Sequence, residues 1–222
     1  MSPAACLTAL RRYPSALLLV TQLAALVVYP LIERTESGHL VFAIFGIVVL
    51  AMTTRMVQRT PFDTWVGVGI ALPAIVLLVL QSVTDAPQLL PWSAGLESAF
   101  YFYAAGSLIA YMLADHRATT DELFAAAGTF TLLAWAFAYL FQLVQALQPG
   151  SFLAAVAPEQ PRSWTELMFL SFALLSSTGI GDVIPVRPLA RGLASIEMLA
   201  GVMYLTLVVS RLIGLTLQRQ PH

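Results

Sequence analysis

Six apolar stretches divide this chain, and the joints between the first five are only a few residues long. The stretches are 15–32, 40–57, 64–83, 94–114, 123–147 and 188–217, and the short joints read ERTESGH, QRTPFD, DAPQLLPW and DHRATTDE. A helix needs roughly 20 apolar residues to cross the hydrocarbon core of a bilayer, so each stretch is read as a span. Such joints leave no room for a soluble domain between spans. With 59% hydrophobic and 10% charged residues, the chain has too few charges to coat a soluble globule. The expectation is an all-α integral membrane protein with six transmembrane helices.

Charge placement sets an expected orientation. All eleven basic residues are arginine. With the N-terminus cytoplasmic, Arg11, Arg12, Arg55, Arg59, Arg117, Arg211 and Arg219 lie inside, and Arg34, Arg162, Arg187 and Arg191 lie outside. That is the positive-inside bias, and it puts both termini in the cytoplasm. Arg11 and Arg12 precede an apolar run as in a signal peptide, but no small-residue cleavage site follows, so the run is read as an uncleaved first span. A net charge of −1 argues against nucleic-acid binding, and the single Cys6 excludes an internal disulfide. The expected partners are membrane lipids and further copies of the chain, with no soluble partner.

The connection between the last two spans, residues 148–187, is unlike the others. It opens with QPGSFLAAVAPEQPR and continues with SWTELMFLSFALL, an apolar run free of Gly and Pro. At about 1.5 Å per residue this run reaches only about 20 Å, short of the roughly 30 Å core. Ser163 is placed to cap it, with Glu166 three residues on as the capping-box partner. A half-length helix of this kind must turn back. The strand after it, SSTGIGD, is tolerated at membrane depth only if buried in protein or lining a watery cavity. Gly179 and Gly181 alternate with side-chain-bearing residues and reach backbone conformations closed to them, which suits a strand that aims successive carbonyls at one axis. A ring of such carbonyls replaces the hydration shell of a cation, and Ser177 adds a hydroxyl below.

These features resemble the pore module of the tetrameric potassium channel superfamily: outer helix, pore helix, filter, inner helix. The family filter TVGYG followed by Asp is matched by Ser177, Thr178, Gly179, Ile180, Gly181 and Asp182. The downstream VIPVRPLARGLASIEMLAGVMYLTLVVSRLIGL is similar to small bacterial members. The resemblance assigns the inner-helix acid to Glu197, the glycine hinge to Gly201 and the late Arg-x-x-Gly to Arg211 and Gly214. Read from the residues alone, Glu197 is a structural acid against the pore helix near Ser171 or Ser176, and Gly201 is either a hinge or a packing glycine. Val202, Leu205, Val209 and Ile213 form a helical stripe that in this module lines or gates the pore. The resemblance implies potassium bound by the carbonyls and hydroxyl of Ser177, Thr178, Gly179, Ile180 and Gly181, with Asp182 at the mouth. It implies no organic cofactor, a homotetramer because one copy supplies one strand, and a bacterial inner membrane.

The chain departs from the family pattern at three places. Thr178 replaces the usual Val, Ile180 the usual aromatic, and Leu170 a frequent pore-helix Trp. The spans before the pore occupy the place of a voltage sensor, but the fourth, AGLESAFYFYAAGSLIAYMLA, has no arginine and a single charge, Glu97. The division expected is a cytoplasmic N-terminus (1–14), a four-helix unit (15–114), a cytoplasmic linker (115–122), a pore domain (123–217) and a cytoplasmic tail (218–222). Within the pore domain lie the pore helix 163–175, the filter 177–182 and the inner helix 188–217. The function expected is passive potassium conduction, with non-selective monovalent conduction as the alternative. Gly179 to Asp182 also match the GxGD signature of aspartyl intramembrane proteases, but no partner aspartate lies inside a span, so no enzyme is expected.

Overall fold

The computed structural model describes residues 13–32, 46–49, 51–52, 61–84, 86–114 and 120–217. Helix α1 spans Pro14–Ile32, α2 Pro61–Thr84, α3 Leu90–Ala114 and α4 Thr120–Leu147. A 3-10 turn, Pro87–Leu89, joins α2 to α3. Strand β1 is Phe152–Ala154, helix α5 Trp164–Leu175 and strand β2 Val183–Pro185. The last helix starts as α6, Pro188–Tyr204, passes through a π-helical turn, Leu205–Val209, and ends as α7, Ser210–Leu217. Five of the six expected spans therefore appear as helices with nearly the expected bounds. Of 40–57 only residues 46–49 and 51–52 fall among the described residues, and these are helical. The terminal segments and most of the linker lie outside the described residues.

Pro14–Leu31, Thr120–Leu147 and Pro188–Val209 are long and apolar enough to cross a membrane. Helix α4 is the centre of the fold. Residues 131–139 are buried without a break, and α1, α3, α5 and α6 all pack on it. A helix that is apolar all round must be surrounded, and the alanines at 125, 126, 134, 136 and 138 let its neighbours approach closely. Polar ties cross the same interfaces. Ser98 Oγ of α3 donates to Ala136 O at 2.9 Å. At the other end of α4, Asp121 caps α1, accepting from Ser15 N at 3.1 Å and from Ser15 Oγ at 2.7 Å. Asp121 is thus committed to the start of α1.

Strands β1 and β2 form an antiparallel ladder that the local sequence does not announce. It pairs Phe152 with Pro185, Leu153 with Ile184 and Ala154 with Val183, and Val186 N donates to Ser151 O at 2.9 Å. The ladder holds together the two points where the chain leaves for α5 and returns from it. The start of α5 is fastened too. Gln145 of α4 accepts from Arg162 N at 2.8 Å and donates to Arg162 O at 2.9 Å. The buried Arg162 guanidinium donates to the carbonyls of Val156, Ala157 and Gln160 and pairs with Glu166 at 3.1 Å.

The capping box at Ser163 is present. Glu166 N donates to Ser163 Oγ at 3.3 Å, and Ser163 N donates to Glu166 Oε2 at 2.7 Å. Both bonds satisfy amides that a helix start leaves orphaned. Ser163→Ala is expected to cost about 1 kcal/mol of stability, whereas Ser163→Thr keeps the acceptor and most of that energy. Thermal unfolding in detergent, followed by circular dichroism, measures both.

Candidate functional site

Helix α5 ends in a Schellman closure. With Ser176 as C-cap, Ser177 N donates to Leu174 O at 3.0 Å and Thr178 N to Ala173 O at 3.1 Å. Gly179 N also reaches Ala173 O, at 3.2 Å, and Thr178 Oγ1 donates to the same oxygen at 3.3 Å while lying 3.1 Å from Ser176 Oγ. The hydroxyl that replaces the usual Val methyl therefore has its partner on α5. The closure needs a left-handed residue after the cap, and Ser177 takes it with φ +57°. Gly179 follows with φ +66°. The left-handed positions are thus 177 and 179, and Gly181, expected to be one of them, is not. The helix closure accounts for Ser177, which the glycine pattern did not mark.

This closure separates the two kinds of backbone group. The amides of Ser177, Thr178 and Gly179 turn back onto α5, while among the described residues no donor reaches the carbonyls of Ser177, Thr178, Gly179, Ile180 or Gly181. The segment is also open on its outer side, with Ser177 through Asp182 all exposed on the single chain and Ile180 at 70%. A run of unpaired carbonyls is a ligand for hard cations.

Helix α6 braces the closure from behind. Glu197 is fully buried and bonded to Ser171 Oγ, which also lies 2.8 Å from Ala134 O of α4. The acid thus sits on Ser171, one of the two serines expected. One turn on, a Cβ at Gly201 would lie 1.9 Å from Leu175 O, so Gly201 permits close packing of α6 on the end of α5. The helix runs regularly through Gly201. It departs from α geometry only at Leu205–Val209, just after Tyr204, whose hydroxyl donates to Ala126 O at 2.5 Å. The tie at Tyr204 and the π turn had no signal in the sequence beyond a polar tip on an otherwise apolar face. Along the stripe, Val202, Leu205 and Ile213 are exposed and Val209 half-buried.

The architecture is that of a membrane protein whose C-terminal part pairs two long helices with a capped short helix and a carbonyl-bearing return. A family described as ion channel matches residues 127–218, which run from within α4 to the residue after α7. Over this stretch the chain is similar to ion channels, which supports a channel module formed by its last hundred residues. No curated protein and no solved structure matches it.

Four outcomes follow for stability. Gly201→Ala is expected to cost roughly 1–3 kcal/mol by overpacking against Leu175. Gly106→Ala, on α3 with nothing within 4 Å, should be neutral or slightly stabilising. Ser177→Gly should raise stability by about 1 kcal/mol by removing left-handed strain, and Gly179→Ala should lower it by a similar amount. Thermal unfolding of the four variants ranks them.

Proposed function

We propose that the protein is a homotetrameric, potassium-conducting channel of six spans, with α5 as a re-entrant pore helix and residues 177–182 as the filter. The observation that carries this reading is the row of five carbonyls, Ser177 to Gly181, left free by a closure that uses the neighbouring amides. One chain supplies one such row, so a coordinating ring needs several copies. The exposed Phe169, Ile180, Leu199 and Met203 offer apolar surface for neighbouring copies to cover. Potassium then exchanges water for carbonyl layers and moves in file, with Asp182 at the mouth. Residues 15–114 form a unit beside the pore domain 123–217, and both termini face the cytoplasm of a bacterial plasma membrane.

Gating is assigned to the lower half of the inner helix. Glu197, Gly201 and Tyr204 pin the upper half to α5 and α4, and the π turn is the first stretch past these ties. π-helical turns often mark functional positions. Val209 and Ile213 lie at or beyond it and form an apolar constriction that closes by dewetting.

Selectivity is expected to be weaker than in a TVGYG filter. Ile180 lacks the hydroxyl with which an aromatic braces the strand, which is the feature favouring the non-selective alternative. Purified protein in liposomes under a potassium–sodium gradient tests both readings through its reversal potential. Potassium preference that is lost in Gly179→Ala, with assembly intact, supports a selective filter. A reversal potential at zero selects the non-selective pore. Absence of flux by an intact tetramer, even after Val209→Asn, contradicts the channel reading.

A further inference from the structure

The polar chemistry that the pore leaves unused lies in α3. Glu97, the one charged side chain of that helix, is 2% exposed. It lies beside Tyr101, one turn further along α3, and beside Tyr139 of α4. Tyr101 stacks on Tyr139 with centroids 5.7 Å apart and an interplanar angle of 14°, and meets the edge of Trp135 at 5.7 Å. Tyr139 and Trp135 both contact Trp164, at 6.0 and 5.3 Å. Trp164 is the first residue of α5, and Tyr29 of α1 closes its other side at 5.1 Å. The set contains no basic side chain. Among the described residues, no hydrogen bond reaches Glu97 Oε1, the hydroxyls of Tyr101 and Tyr139, or Trp135 Nε1, so the acid and the two phenols are packed together without being paired.

An ionisable group within a span is expensive, and such groups are usually kept for function. An apolar residue of similar volume would fill this position without leaving polar atoms unpaired. The surroundings say what the acid addresses. The neighbouring Tyr139 stands on α4, the outer helix of the proposed pore, and its ring contacts Trp164, the residue that begins α5. A short line therefore runs from α3 to α5 through Glu97, Tyr139 and Trp164. The neutral tie from Ser98 to Ala136 O lies next to it and keeps α3 and α4 in register.

We propose that Glu97 is a positioning residue for conduction: acting through Tyr139 and Trp164, it sets the start of the pore helix and couples the preceding helices to the filter. The proposal rests on the channel reading for its flux readout and gives the sensor-position helix a task without arginines. It also divides the control of α5, whose far end is held by Glu197 and Gly201 of the inner helix.

The test compares Glu97→Gln, Glu97→Leu, Tyr139→Phe and the Glu97→Leu/Tyr139→Phe double variant with the unmodified protein in liposomes. Potassium flux per tetramer, reversal potential and hydrogen exchange of the α5 amides are measured on each. Glu97→Leu and Tyr139→Phe are each expected to change flux by about tenfold, with the double variant no worse than either single. Glu97→Gln, which keeps two polar atoms, should stay within about twofold. Amides at the start of α5 should exchange faster in Glu97→Leu and at the normal rate in Glu97→Gln. Normal flux and exchange in Glu97→Leu overturn the proposal, as do independent, multiplying effects of the two single changes. If the unmodified protein passes no ions but the exchange pattern holds, the channel reading falls and the coupling stands. Unchanged exchange in a conducting protein does the reverse.

Discussion

Backbone groups in an apolar core must be paired, and the end of α5 meets that demand in a one-sided way. The Ala173 carbonyl accepts from Thr178 N, Gly179 N and the Thr178 hydroxyl, and Leu174 O accepts from Ser177 N. Helix-end carbonyls that would otherwise be orphaned are satisfied by the amides of the segment that follows. The consequence is a strand whose first three donors, Ser177 to Gly179, are spent while its acceptors stay open. Everything else in the C-terminal half keeps that strand where it is. The β1–β2 ladder joins its approach and exit, the capping box starts α5 cleanly, and α6 presses on the helix end through Gly201.

The cost of this arrangement is concentrated at a few residues. Ser177 holds a left-handed conformation that disfavours any side chain, at about 1 kcal/mol. Glu197 and Glu97 are carboxyls inside apolar helices, and they sit against α5 and α4 respectively rather than at a helix end. Arg162 is buried as well, but at the margin, where three carbonyls and Glu166 absorb its donors. The strained and polar positions thus cluster around the two ends of α5. That distribution is what a structure needs when a short helix must hold a strand in one orientation.

Much of this was legible in the sequence because it is local. Apolar length located the long helices, and the run from Ser163 to Leu175 carried both its cap and its shortness. The spacing of glycines and hydroxyls pointed to the carbonyl row, and an acid deep in the last span pointed to Ser171 or Ser176, of which it meets the first. The rest depends on partners distant in the chain. FLA and VIP are too short to read as strands, and their pairing exists only because α5 returns to where it began. Left-handed Ser177 runs against local preference and is imposed by the helix closure. The Tyr204 tie to Ala126 and the aromatic line from Glu97 to Trp164 join residues that only packing brings together.

In the proposed channel the carbonyls from Ser177 to Gly181 of several copies face one axis and coordinate a monovalent cation. Anomalous difference density from crystals of the membrane-extracted protein grown in rubidium tests this most directly, because rubidium marks potassium sites. Discrete peaks are expected on a fourfold axis, between successive layers of these carbonyls. Carbonyls turned away from the axis, with no rubidium between them, would contradict it.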